Sequence, residues 1–170
     1  MLVDGYLVSL KRWYMIDKTP SSFEYCLILF SSALGVTVKI TIMNKLVIDI
    51  VSEKIFLMII SNDNIYSISH KNSKTNYEQL VILLNEFLNS KNFKIEDISS
   101  IYVNRGPGSY AAIRNSLSIV KAIYVAKKID YYCFSFEDFL NEKNIKYENI
   151  PNLCNKFRIK KNLVNPYYIS

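Results

Sequence analysis

The chain has 170 residues, of which 50% are apolar and 21% are charged, and its mean hydropathy is +0.08. This composition excludes a disordered tail and a collagen-like or low-complexity chain, and the length fits one domain with an appendage. The net charge of +6 is spread along the chain without a basic block. It therefore favours ordinary solubility charge over a nucleic-acid-binding surface.

The histidine and cysteine content limits the kinds of metal site. The single histidine, His70, excludes zincin motifs and other paired-histidine sites, and we interpret it as a solvated loop histidine near a strand end. The three cysteines lack CxxC spacing, which argues against a zinc site or a disulfide framework and fits a reducing cytosol. We therefore predict a cytoplasmic protein without a metal site.

Residues 1–42 differ from the regular pattern that follows them. Their apolar stretch, 26–38, lies between Glu24 and Lys39 and is shorter than the ~20 residues that a bilayer span needs. It lies too far from the N-terminus for a signal peptide. A buried strand, an interfacial helix and translated sequence upstream of a native start at Met43 are all open. We treat 1–42 as an N-terminal extension and expect no membrane association.

From Met43 onward the hydrophobic pattern predicts three strands. A continuous apolar run with one aspartate, at 45–51, is typical of a strand buried on both faces, and a second apolar run follows at 54–60. After a turn at 61–64, the residues at 65–69 alternate as a half-buried strand does. These strands are predicted to form an antiparallel meander.

Two helices and two further strands follow the meander. The helix predicted over 76–89 is apolar on more than one face, so it must bury a second face against something else. A strand at 98–103, a long helix ending at Lys128 and a strand at 131–134 complete the order βββαβαβ. With right-handed crossovers this order predicts an α/β fold over 43–140: a ribonuclease-H-like, actin-like (ASKHA) half-domain with a mixed five-stranded sheet.

No internal repeat is visible, so the second lobe of that superfamily is expected to be largely missing. Residues 141–170 are polar, rich in Asn and Lys, and contain Pro151 and Pro166, which predicts an irregular C-terminal tail. The apolar residues through which part of this tail is expected to fold back are Ile150, Leu153, Phe157 and Tyr167.

The most specific pattern lies between the fourth strand and the long helix. Glycine is scarce, yet Gly106 and Gly108 flank Pro107. Pro107 favours an extended Gly106, Gly108 permits a positive φ or a close approach, and Ser109 is suited to cap the helix. The amide groups behind Ser109 would face an anion at the helix N-terminus. Spacing alone leaves two readings open, a phosphate loop and a tight turn.

The segment Asn104–Arg114, NRGPGSYAAIR, resembles the signature RGPGSFTGLR of the TsaB (YeaZ) family. These proteins are non-catalytic subunits of the bacterial system that makes threonylcarbamoyladenosine (t6A) in tRNA. Further similarity lies at 43–49, Glu78, Leu80, 131–139 and 166–169. The resemblance implies a phosphate-loop-like motif of Arg105, Gly106, Pro107, Gly108, Ser109 and Arg114, and it makes Asp49 the family's strand-one acid.

The resemblance implies a scaffold and not an enzyme. In this family the first two helices pack against those of the catalytic paralogue TsaD, an ATPase (TsaE) completes the assembly, and tRNA is contacted only indirectly. No catalytic residue or metal is implied, and ATP or ADP is expected only at the interface of the complex. The residues expected at the partner interface are Leu80, Leu84, Phe87, Ile113, Leu117, Val120 and Tyr124.

The long helix carries a second apolar stripe beside Ile113, Leu117, Val120 and Tyr124. Its members are Ala112, Ser116, Ile119 and Ile123. One stripe is expected to pack on the sheet and the other to meet a partner. A homodimer through the same helices is an alternative to the TsaD-like partner.

An enzymatic hypothesis uses the same fold. A ribonuclease-H-like nuclease needs acids on the first strand, on the first helix and at the end of the fourth strand. Asp49 and Glu78 fit the first two positions, but Asn104 stands at the third. A two-metal site without one carboxylate is expected to bind metal poorly. A stand-alone nuclease-like or nucleotide-binding enzyme is therefore the second hypothesis.

Overall fold

The computed structural model describes residues 43–51, 54–62, 64–71, 73, 78–142 and 145–168, and the N-terminal extension 1–42 lies outside them. The strands are β1 (Asn44–Asp49), β2 (Lys54–Ile60), β3 (Ile65–Lys71), β4 (Ile98–Asn104) and β5 (Asp130–Phe134). The α-helices are α1 (Leu80–Ser90), α2 (Tyr110–Lys127) and α3 (Ile150–Lys156). Short 3-10 helices lie at Ile95–Asp97, Phe136–Phe139 and Tyr147–Asn149.

The strands form one mixed sheet in the order β3-β2-β1-β4-β5. β1, β2 and β3 pair antiparallel through short connections, as the alternating and continuous apolar runs predict. β4 and β5 each follow a helix and pair parallel, β4 with β1 and β5 with β4. The predicted α/β fold, with its mixed five-stranded sheet and βββαβαβ order, is confirmed.

α1 and α2 cover one face of the sheet. Because side chains alternate across a strand, Leu46 and Ile48 of β1 lie on this face and are buried beneath the helices. α1 contributes Leu84 and α2 contributes Ile113 to the same cluster. The two helices therefore bury one apolar side each against the sheet and expose another.

The segment after β5 covers the other face of the sheet, which corrects the prediction of an irregular tail over 141–170. Ile150 and Cys154 of α3 are buried against Val47 of β1 and Tyr102 of β4. Pro151 lies in the first turn of α3, where a missing N–H costs no hydrogen bond. The fold-back expected through Ile150 is therefore observed, whereas the helix was missed because it is only seven residues long and includes polar Asn and Lys residues.

The longest α-helix of the described residues carries several charged side chains. α2, with 18 residues, carries Arg114, Lys121 and Lys127 along its length. No helix in this part of the chain combines the length and the apolar character that a bilayer span requires.

Two buried thiols are expected to make stability sensitive to alkaline pH. Cys133 and Cys154 are 5% and 1% exposed, and burial raises the pKa of each from 9.0 to about 12. As the pH rises past about 9, the unfolded chain loses these protons while the folded chain keeps them. We expect the free energy of unfolding to fall by about 1.4 kcal/mol per pH unit for each thiol.

Urea unfolding at about pH 8 and about pH 10 measures this loss. The matched control is the double variant Cys133→Ala, Cys154→Ala, in which this part of the pH dependence is absent. An equal loss in both proteins contradicts the assignment to the thiols.

Candidate functional site

Residues 105–109, between β4 and α2, form the glycine loop. Ser109 ends it as the N-cap of α2, because its Oγ accepts a hydrogen bond from the Ala112 amide at 3.3 Å. The predicted cap is therefore confirmed. The Ala112 amide, one of the groups that would face an anion in a phosphate loop, is therefore already hydrogen-bonded to Ser109.

The structure confirms the close approach predicted at Gly108 and corrects the extended conformation predicted for Gly106. Gly106, not Gly108, has the positive φ, at +121°, and its bond to Pro107 is cis. The Gly106 N–H donates to Oδ1 of Asn104 at 3.0 Å, a turn that the spacing did not reveal. Gly108 is required for close approach, since a Cβ there would lie 2.2 Å from Cγ1 of Val51.

The glycine loop is covered by residues 165–168, which we call the C-terminal strap. The Tyr167 N–H donates to the Arg105 carbonyl oxygen at 2.9 Å, and Tyr168 forms an isolated parallel bridge with Gly108. A Cβ on Gly106 would lie 2.0 Å from the Tyr167 carbonyl oxygen. The backbone of the loop is therefore engaged by the chain's own C-terminal segment.

The two arginines of the predicted motif have different surroundings. Nη2 of Arg105 lies 2.6 Å from Oδ1 of Asp138, and its Nη1 donates to the Asn165 carbonyl oxygen at 3.2 Å. Arg105 thus ties the loop to both the 3-10 helix after β5 and the strap. Arg114 lies on the surface, where it donates to the Tyr110 hydroxyl at 3.0 Å.

Asp49, the acid at the end of β1, is fully buried. Its Oδ1 accepts from the Val51 amide at 3.0 Å, and its Oδ2 accepts from Nδ2 of Asn104 at 3.0 Å and from the Tyr147 hydroxyl at 2.7 Å. Burial, and then the charge of Asp49, raise the pKa of Tyr147. We call these four residues the Asp49 network. No sequence signal marked Tyr147, which lies in the predicted irregular tail.

The Asp49 network does not have the arrangement of a cation site. Metal-binding oxygens direct lone pairs at the cation, whereas both oxygens of Asp49 accept N–H or O–H groups. Asn104 presents its amide nitrogen to Asp49, and Glu78 is exposed. His70 is half-buried within β3, which corrects its predicted place in a solvated loop. Among the described residues, no group of three or more His, Cys, Asp or Glu residues could hold a metal ion.

The structure places most of the residues predicted for partner contact inside the chain's own core. Those that are only 0–4% exposed are Leu80, Leu84, Phe87, Ile113, Leu117 and Val120. Tyr124 is half-buried, with its ring 5.8 Å from that of Tyr131. A helical period identifies an apolar stripe but does not tell which of two neighbouring stripes meets the sheet. The surface that remains for a partner is formed by other side chains of the same helices.

An apolar groove of about 520 Å³ lies between α1 and α2, and we call it the helix groove. Its lining residues are Val81, Ile82, Leu84, Asn85, Leu88, Ile95, Ile119, Ala122, Ile123, Ala126 and Lys127. Val81 and Ile82 are 56% and 54% exposed. Ile119 and Ile123 come from the second predicted stripe, whereas Ala112 and Ser116 of that stripe are buried.

Comparison with known proteins gives one family match. The family model described as TsaD, tRNA N6-adenosine threonylcarbamoyltransferase, matches residues 68–153, which is half of the chain. These residues include the glycine loop and both walls of the helix groove. No curated protein matches the chain.

Solved structures match the fold. YeaZ from Pseudomonas aeruginosa is 16% identical with a TM-score of 0.52, and the match covers 55% of this chain and 44% of that chain. A structure described as an uncharacterized protein with similarity to peptidase YEAZ from Pseudomonas aeruginosa has the same identity and TM-score, over 55% and 43% of the two chains. The chain therefore spans less than half the length of these structures.

Proposed function

The chain belongs to the TsaD family, tRNA N6-adenosine threonylcarbamoyltransferase, with a fold similar to that of YeaZ, and from this we propose that it is a non-catalytic, TsaB-like subunit in t6A formation. It acts by docking to a TsaD-like catalytic paralogue. A TsaE-like ATPase completes the assembly, which contacts tRNA through the other subunits. The free, buried thiols Cys133 and Cys154 fit a cytosolic location.

The helix groove is the observation that carries this proposal. Contiguous exposed apolar surface marks protein–protein contact sites, and a groove between two helices accepts the apolar face of another helix. Ile82 and Ile123 lie on opposite walls of the groove, which the small Ala122 also lines. Lys127 at the rim pairs with Glu96 at 2.5 Å, so the apolar lining ends in charged side chains, as interface rims do.

The Asp49 network and the C-terminal strap support a role without catalysis. Asp49, the acid that a nuclease of this fold would use, has its oxygens occupied by three donors. The glycine loop, the candidate phosphate loop, is paired with Tyr167 and Tyr168. We therefore assign ATP or ADP to the assembled complex and not to this chain alone.

Co-expression of the full chain with the TsaD-like protein of the same organism tests the proposal. We expect the two proteins to co-elute as a complex in size-exclusion chromatography. The double variant Ile82→Asp, Ile123→Asp places two charges in the apolar groove, and we expect it to weaken binding by a factor of about 100 or more. The matched control is Val125→Asp, a residue of α2 that is 62% exposed and outside the groove lining.

The control variant is expected to bind as the unmodified chain does. A complex that survives the groove variant, or that Val125→Asp weakens equally, contradicts docking through the groove. A folded chain that never binds the TsaD-like protein contradicts the proposed subunit role. A homodimer that the groove variant dissociates would assign the groove to a second copy instead.

A further inference from the structure

The two edges of the sheet differ in their protection. At the β5 edge, the Asn162 N–H donates to the Tyr131 carbonyl oxygen at 2.8 Å, and Lys161 forms an isolated bridge with Tyr132. At the opposite edge, β3 pairs with β2, and no other strand of the described residues pairs with it. An exposed edge strand is a template for pairing with another chain.

The register of the β2–β3 hairpin shows which backbone groups of β3 face outward. The Ser61 N–H donates to the Asn64 carbonyl oxygen at 2.9 Å, so this pair is hydrogen-bonded. Hydrogen-bonded pairs recur at every second residue of an antiparallel ladder, so Tyr66 and Ile68 bond to β2. The N–H and C=O groups of Ile65, Ser67 and Ser69 therefore face away from β2. All three are exposed.

We propose that β3 pairs antiparallel with β3 of a second copy of this chain, around a two-fold axis at Ile68. Ser67 then lies opposite Ser69 of the second copy, and their outward backbone groups form a hydrogen-bonded pair. Ile68 lies opposite Ile68 of the second copy in the adjacent pair without hydrogen bonds, where side chains approach most closely. A contact of this kind is isologous, as two-fold dimers require.

The sequence of β3 is complementary to itself in this register. It contains no Asp, Glu or Arg, and its one lysine, Lys71, lies at one end and faces Ile65 of the second copy, so no two lysines lie opposite each other. Tyr66 faces His70 of the second copy. The strand contains no proline and no bulge, the features that commonly block edge pairing. This charge pattern favours a second copy over an unrelated strand.

A charge-swap experiment on Ile68 tests the pairing. Ile68 is 37% exposed, so a charged side chain can reach water in the monomer. In sedimentation equilibrium of the full chain, we expect the unmodified protein to dimerise as concentration rises. Ile68→Lys and Ile68→Glu are each expected to remain monomeric, because like charges then meet at the axis. An equimolar mixture of the two variants is expected to dimerise again.

A backbone variant tests the same contact without adding charge. Ser67→Pro removes an outward N–H and leaves the bonds to β2 in place, so we expect a folded monomer by circular dichroism. Ser67→Thr keeps the N–H and is expected to dimerise.

The proposal is independent of the helix groove, whose lining residues lie outside β3. A dimer that survives Ile68→Lys and dissociates in Ile82→Asp, Ile123→Asp overturns it. An unmodified chain that stays monomeric throughout the accessible concentrations also overturns it.

Discussion

Replacing Asp49 with alanine is expected to lower the free energy of unfolding by about 3–5 kcal/mol. The carboxylate is fully buried and accepts hydrogen bonds from Asn104, Tyr147 and the Val51 amide. Alanine removes the acceptor and leaves these donors in a buried site, where each unsatisfied group costs about 1–3 kcal/mol. Urea unfolding followed by circular dichroism measures the loss.

Two further variants separate the parts of the Asp49 network. Asp49→Asn keeps one acceptor oxygen, so we expect a smaller loss than with alanine. Tyr147→Phe removes one hydrogen bond to a charged group and is expected to cost about 1.5–3 kcal/mol. If Asp49→Ala is as stable as the unmodified chain, Asp49 is not held in the network. The hypothesis of a nuclease that uses Asp49 as a solvent-facing acid is then open again.

The sheet and its order could be predicted because each strand signals itself locally. The run 45–51 is apolar apart from Lys45 and Asp49, since β1 is the central strand and is covered on both faces. Ser109 was predictable as a cap because its acceptor oxygen serves an amide only three residues away. Local periodicity and local hydrogen bonds are the properties that a single sequence carries.

The contacts that close the site are long-range and leave no such signal. Tyr147 is separated from Asp49 by 98 positions, and nothing in the segment around Tyr147 indicates a buried donor. Tyr167 pairs with Arg105 through backbone atoms, which every residue type possesses. The strap and the Asp49 network therefore required the three-dimensional structure.

The residues of the helix groove were only partly predictable for a different reason. α2 is apolar on two adjacent stripes. The hydrophobic periodicity of its sequence is the same whichever of the two stripes packs against the sheet. The structure resolves the choice, because Ile113 and Val120 face the sheet while Ile119 and Ile123 line the groove. α1 follows the same pattern, with Leu80 in the core and Ile82 exposed. The helices of the interface hypothesis are retained, and the contact residues that we propose have moved to the neighbouring faces.

Replacing Gly106 with alanine is expected to cost about 2–4 kcal/mol and to loosen the C-terminal strap. Its φ of +121° is one that side chains with a Cβ rarely adopt. The new Cβ would lie 2.0 Å from the Tyr167 carbonyl oxygen and 3.0 Å from Cδ1 of Ile113. The backbone of Tyr167 must then move, so the Tyr167 N–H is expected to exchange faster with deuterium.

Gly108→Ala provides the matched comparison, because the atom nearest to its Cβ would belong to a side chain and not to the backbone. The nearest atom, Cγ1 of Val51 at 2.2 Å, is absent in the double variant Val51→Ala, Gly108→Ala, which leaves the carbonyl oxygen of residue 51 at 3.1 Å and its Cβ at 3.3 Å. We expect that second change to recover much of the stability lost in Gly108→Ala. No side-chain truncation can relieve Gly106→Ala in the same way. Unchanged stability and unchanged exchange at Tyr167 in Gly106→Ala contradict the strap contact. If the Tyr167 N–H exchanges faster in Gly106→Ala while the amides of the sheet stay protected, the role of Gly106 is to hold the C-terminal strap and not to bind a phosphate.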